Sequence, residues 1–110
     1  MDRRGYELQA RTLKALAHPS RIAILEMMRH NEACVCEIGP RLGLAQANVS
    51  QHLAILRDSN LVSATRDSTR VMYSITDPRV FQLLDLVAAV AHDQLDEAVQ
   101  ALAALQDNAA

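Results

Sequence analysis

The chain has 110 residues, half of them hydrophobic but only 3% aromatic, and a formal net charge of −2. That is enough for one core packed through Leu, Ala, Val and Ile, in a chain small enough for a partner subunit to help. No apolar run approaches the roughly 18 residues of a membrane span, and Met1-Asp2-Arg3-Arg4 leads into an amphipathic segment rather than a signal-peptide core.

The expected compartment is therefore the cytoplasm, with both cysteines as reduced thiols. In chain order, residues 6–17 read as a first helix with Leu13 and Leu16 on one side. His18-Pro19-Ser20 breaks the chain and restarts it, since proline is tolerated in a first helical turn. Arg21 to Met28 continues a mostly buried second helix that stops near His30-Asn31. A short third helix covers Cys36 to Leu42, and Gly43 supplies the turn after it.

Residues 44–57 then read as a helix with two distinct edges. Val49, Leu53 and Leu56 fall at i, i+4 and i+7 and share a face that must be buried. Gln46, Asn48, Ser50 and Gln51 lie elsewhere, and charge is almost absent until Arg57. Uncharged amides and hydroxyls of this kind can donate to and accept from base edges in a major groove wide enough to admit a helix. This is a candidate recognition helix.

Leu61 to Arg66 and Arg70 to Ile75 alternate with a period near two around Asp67-Ser68-Thr69, the pattern of a short hairpin whose turn lacks glycine. Asp77-Pro78 starts a long last helix, with Asp77 as a suitable N-cap. Along it Val80, Leu84, Val87, Ala91, Leu95, Ala98, Leu102 and Leu105 advance by steps of four and three. A stripe of that length suits a twin helix across a two-fold axis. The expected fold is mainly α with a small β-hairpin: one winged helix-turn-helix domain over residues 1–110. Residues 6–17 and 78–106 are its dimerisation helices, 36–58 the helix-turn-helix and 61–76 the wing.

Charge is distributed to suit DNA better than its total suggests. Residues 1–40 carry +1, residues 41–79 carry +2 and residues 80–110 carry −5. The acid sits at one end, away from the segments expected to approach a duplex. Arg41, Arg57, Arg66 and Arg70 are candidate phosphate contacts, which add affinity without sequence information. Arg66 and Arg70 flank the wing tip, where they serve either a minor groove or only the solvated strand surface.

Three motifs in unbroken order, Ala17-His18-Pro19-Ser20-Arg21-Ile22-Ala23-Ile24-Leu25, Cys34-Val35-Cys36-Glu37-Ile38 and Asn48-Val49-Ser50-Gln51-His52-Leu53, resemble the ArsR/SmtB repressors from about residue 8 to residue 95. The resemblance implies a homodimeric winged-helix repressor that sits on inverted-repeat operator DNA and lets go when an inducer binds, its first and last helices forming the dimer interface. Carried over, Gln46, Ala47, Asn48, Ser50 and Gln51 stand at or near the major groove. Ala47 occupies a position that is often serine in relatives, which removes one contact. His52 reads as a packing group rather than a base reader.

Cys34-Val35-Cys36 is the one constellation with sensor chemistry. Thiolates select soft or thiophilic ions such as zinc and copper(I), and by extension arsenite, antimonite, cadmium or lead. Residues two apart in an α-helix lie about 200° apart around the axis, so both sulfurs can close on one ion only if the segment is extended or the first turn is unwound. The family's arsenite pattern has a third cysteine three residues after the second; here that position is Gly39. A small-molecule thiol, Glu37, Glu32 or His30 can complete the shell. The family's alternative zinc site along the last helix is rejected, because Arg79 and Val90 stand where ligands are needed beside Asp77 and Asp93. Two other uses of the pair remain: thiol oxidation and simple core filling.

Three function classes follow. A DNA-binding repressor relieved by a thiophilic ion is preferred, with a thiol-redox-sensing repressor of the same fold as its nearest rival. A winged-helix module for protein contacts alone would carry Glu, Lys or aromatics where Gln46, Ser50 and Gln51 stand. A thiol enzyme is excluded, since redox catalysts use two intervening residues on a sheet-based scaffold. DNA binding itself requires no cofactor.

Overall fold

A computed structural model of the chain describes residues 2–109. They form two compact units, one ending at Pro78 and one starting at Arg79. The first contains α1 (Arg3–Leu16), α2 (Pro19–Met27), β1 (Ala33–Cys34), α3 (Val35–Leu42), α4 (Gln46–Asp58), β2 (Val62–Asp67) and β3 (Arg70–Ile75); the second is α5 (Arg79–Ala109).

Helix α1 starts three residues before the predicted 6, because Asp2 is extended and its carboxylate accepts from the Gly5 N–H at 3.0 Å. Such an N-cap satisfies one of the orphan donors of the first turn. At the other end the Arg21 guanidinium donates to the Ala15 carbonyl at 2.6 Å and to the Lys14 carbonyl at 3.2 Å. A cation is thus held against the negative end of α1. His18 caps α2: its Nδ1 accepts from the Ser20 N–H at 3.0 Å, while Pro19 occupies the position where a missing N–H costs nothing.

Helices α3 and α4 make the helix-turn-helix. Pro40 stands inside α3, and Gly43 closes that helix in the left-handed region at φ 66°, a conformation glycine adopts without a Cβ penalty. The Leu44 N–H then donates to the Gly39 carbonyl at 2.9 Å. Gly39 suits this closeness, since a Cβ there would lie 3.0 Å from the Leu44 carbonyl oxygen and the turn would have to give by a few tenths of an ångström. The end of α4 is held by Arg11, which donates to the Asp58 carbonyl at 2.6 Å.

Ile24 and Leu25 of α2, Ile38 of α3, and Val49, Leu53 and Leu56 of α4 are the fully buried large side chains. Each contributes roughly 1.5–3 kcal/mol of transfer free energy, so the apolar edge read along residues 49–56 is the wall of the core. Among the described residues no buried side-chain nitrogen or oxygen lacks a partner.

The sheet has three strands in the order β1-β3-β2, not two. The wing pairs as expected, from Val62 opposite Ile75 to Asp67 opposite Arg70. Ser68 takes the left-handed turn position at φ 59° that glycine more often fills. The additional strand pairs Ala33 with Tyr73 and Cys34 with Met72. Two residues are too few to show a period-two alternation, and both are buried.

In the second unit α5 runs without a break. Val80 and Leu84 are buried, but Leu86, Val87, Val90, Leu95, Val99, Leu102 and Leu105 are exposed along it. Near its middle His92 Nδ1 lies 3.2 Å from an Asp96 carboxylate oxygen. Among the described residues no helix is long and apolar enough to cross a membrane.

Candidate nucleic-acid interface and thiol site

The α4 backbone sorts its side chains as its periodicity requires. Val49, Leu53 and Leu56 are buried, while Gln46, Ala47, Asn48, Ser50 and Gln51 are exposed. The exposed side therefore carries amides and a hydroxyl at positions 46, 48, 50 and 51 with no acid among them. His52 stands between the two sides and is half-buried. Its ring centroid lies 4.5 Å from that of His18, and its Nδ1 lies 3.5 Å from the Arg21 Nη1. Burial above all, then the His18 and Arg21 charges, hold its proton affinity below the ordinary histidine range. A neutral ring gripped by α2 in this way orients α4, as expected of a packing group.

The four arginines picked from sequence are all exposed. Arg66 and Arg70 bracket the wing turn, one register step apart on opposite strands. Arg41 ends α3 and Arg57 ends α4, each in the last turn of its helix.

The expectation of free thiols is corrected: Cys34 and Cys36 are joined as a disulfide. The backbone permits it because Cys34 is not helical. It is the extended N-cap residue of α3, at φ −101° and ψ 164°, so the roughly 200° divergence expected within a helix does not arise. The Cα atoms are 5.2 Å apart. Cys34 is buried and Cys36 exposed. Of the third ligands left open by the sequence, Glu37 is the one brought close: its carboxylate and the two sulfurs lie within 4.8 Å of one another. A Cβ at position 39 would lie 3.0 Å from the Leu44 carbonyl oxygen, so a cysteine there would ask that turn to give by a few tenths of an ångström.

Cys34 and Cys36 open on a cavity of about 360 Å³ whose wall also includes Gln46 and Ser50 of α4 and Arg70 and Tyr73 of β3. Sequence reasoning separated these into a reading surface and a sensor. The β1–β3 pairing, invisible in so short a strand, helps to bring them together with α4.

Residues 18–64, the span from the α2 cap through the helix-turn-helix into the wing, match the family model described as bacterial regulatory protein, arsR family. Rv0081 of Mycobacterium tuberculosis H37Rv, an uncharacterized HTH-type transcriptional regulator, is 38% identical over 98 residues, spanning 88% of this chain and 86% of that protein. The chain belongs to the ArsR family. Its fold agrees: the crystal structure of Rv0081 matches this ArsR-family chain with a TM-score of 0.76 over 86% of it and 95% of the other. The solution structure of the homodimeric winged helix-turn-helix DNA-binding domain of Mb0332 from Mycobacterium bovis, 33% identical, also gives 0.76, over 88% and 92% of the two chains. A probable mercury resistance operon repressor of Streptomyces lividans is 39% identical over 84 residues, 76% of this chain and 67% of that one. This ArsR-family protein is a winged helix-turn-helix DNA-binding transcriptional regulator.

Proposed function

We propose that the protein works in the cytoplasm as a homodimer that reads an inverted-repeat operator through α4. It releases that operator when a soft metal or metalloid ion of the arsenite, antimonite, cadmium or lead class binds Cys34 and Cys36. Gln46, Asn48, Ser50 and Gln51 read base edges beside Ala47, while Arg41, Arg57, Arg66 and Arg70 contact phosphates. The apolar stripes of α1 and α5 supply the dimer interface, in one winged domain spanning residues 1–110. Exposed Tyr6, Leu8 and Leu13 on α1 and the seven exposed large side chains along α5 support that role, since exposed apolar patches of this extent mark contact surfaces.

The observation that carries the reading is the position of the thiol pair. Cys34 belongs to a strand laddered to the wing, and Cys36 sits in the first turn of α3, one tight turn from α4. An ion drawing the two reduced sulfurs and Glu37 together loads both the recognition helix and the wing. For a hundredfold loss of operator affinity, the ion must bind the released conformation about 2.7 kcal/mol more tightly than the DNA-bound one. The disulfide supports a second reading, in which oxidation of the pair is the signal.

The test is to titrate reduced protein on its own upstream duplex with arsenite, cadmium, lead or peroxide, following release by fluorescence anisotropy. Cys34→Ser and Cys36→Ser are expected to bind the duplex normally and to resist release by ions. Normal release of either variant by arsenite or cadmium refutes ion sensing at this pair; release by peroxide alone selects the redox reading. No preference for the upstream duplex over scrambled sequence refutes the repressor reading itself.

A further inference from the structure

We infer that the cavity beside the disulfide is a site for a low-molecular-weight thiol bearing a carboxylate, which forms a mixed disulfide with Cys36. The inference rests on the repressor reading above and names a further ligand for the same thiol pair. Its volume of about 360 Å³ lies within the roughly 300–1,000 Å³ of small-ligand pockets. Its wall offers both sulfurs of the disulfide, Cys34 and Cys36, one cation to hold an acid, Arg70, and three hydrogen-bonding groups, Gln46, Ser50 and Tyr73.

The difference in burial decides which sulfur is attacked. Both sulfurs border the cavity, but Cys34 is 2% exposed, whereas Cys36 is exposed. The small thiolate attacks Cys36 Sγ along the axis of the protein disulfide. The bond between Cys36 Sγ and the incoming sulfur forms and the Cys34–Cys36 bond breaks. The electron pair leaves on the Cys34 sulfur, which takes a proton from solvent. No external oxidant is consumed, because one disulfide replaces another. Attack by the Cys34 thiolate on Cys36 reverses the step and expels the small thiol. Glu37, close to both sulfurs, disfavours an anion on its side, whereas Arg70 attracts one on the cavity side.

An adduct in this place lies against Gln46 and Ser50 and takes Arg70 as its counter-ion. Those side chains are then unavailable to a duplex, so the adduct weakens operator binding directly.

The test uses full-length oxidised protein with reduced glutathione, and with uncharged 2-mercaptoethanol as control. Intact mass and peptide mapping are expected to find one glutathione on Cys36 and none on Cys34. The equilibrium should favour glutathione over 2-mercaptoethanol by about threefold, the effect of one exposed ion pair, and Arg70→Ala should remove that preference. Cys34→Ser protein treated with glutathione disulfide traps the adduct; its operator affinity should fall at least about tenfold, the loss of one good base contact. Glutathione on Cys34, equal preference for the two thiols, or a trapped adduct that binds the operator normally each overturns the inference. If the trapped adduct is inert while ions still release unmodified protein, only this inference fails; if unmodified protein ignores its operator, the repressor reading fails first.

Discussion

Arg70 offers the most quantitative test of the wing. It is exposed, opposite Asp67 at the last step of the hairpin register, and it is one of four arginines proposed to meet phosphates in each protomer. If each makes one contact, a dimer neutralises about eight phosphates, and the slope of log affinity against log salt is about −7. Arg70→Ala removes two contacts per dimer and should flatten that slope to about −5. Between 50 and 200 mM salt the parent should then lose about 20,000-fold in affinity and the variant about 2,000-fold. Fluorescence anisotropy on the operator and on a scrambled duplex across that salt range measures both, with circular dichroism confirming an intact fold. An unchanged slope would mean that Arg70 is only a solvated strand residue.

Gln51→Ala should weaken operator binding by about 1–3 kcal/mol and leave scrambled-duplex binding unchanged; equal losses on both would remove it from the reading surface. Gly43→Ala should destabilise the protein by about 1–2 kcal/mol in urea unfolding, because the φ of 66° penalises any Cβ there, although no neighbour would clash with it. His52 resists protonation in the folded protein relative to the unfolded chain. Its contribution should therefore be complete above its ordinary value of 6.5 and be lost as pH falls through the lowered one. Urea midpoints measured from pH 7.5 to 5 should drop less steeply in His52→Gln; parallel curves for the two proteins would refute this.

Much of this molecule was legible as pattern. The i, i+4, i+7 spacing of Val49, Leu53 and Leu56 marked the buried side of α4, and the alternation of residues 61–75 marked the wing. The parts that escaped had no period to detect. Strand β1 is two residues long and exists through its partner β3. The turn at Ser68 uses a left-handed serine, so the glycine signal was missing. Helix α3 begins at Val35 rather than Cys36, because Cys34 is extended by sheet pairing. That pairing in turn let the sulfurs meet, against the expectation of free thiols. The approach of Cys36 to Gln46, Ser50 and Arg70 depends on three elements folding together, and spacing along one chain does not encode it.

Gly39 carries an evolutionary consequence. A single base change in a glycine codon can supply the missing thiol, yet its Cβ would press on the peptide oxygen of Leu44, in the turn that seats α4. A third sulfur at this position would therefore ask that turn to give by a few tenths of an ångström, which ties any change of the thiol set mechanically to the seat of α4.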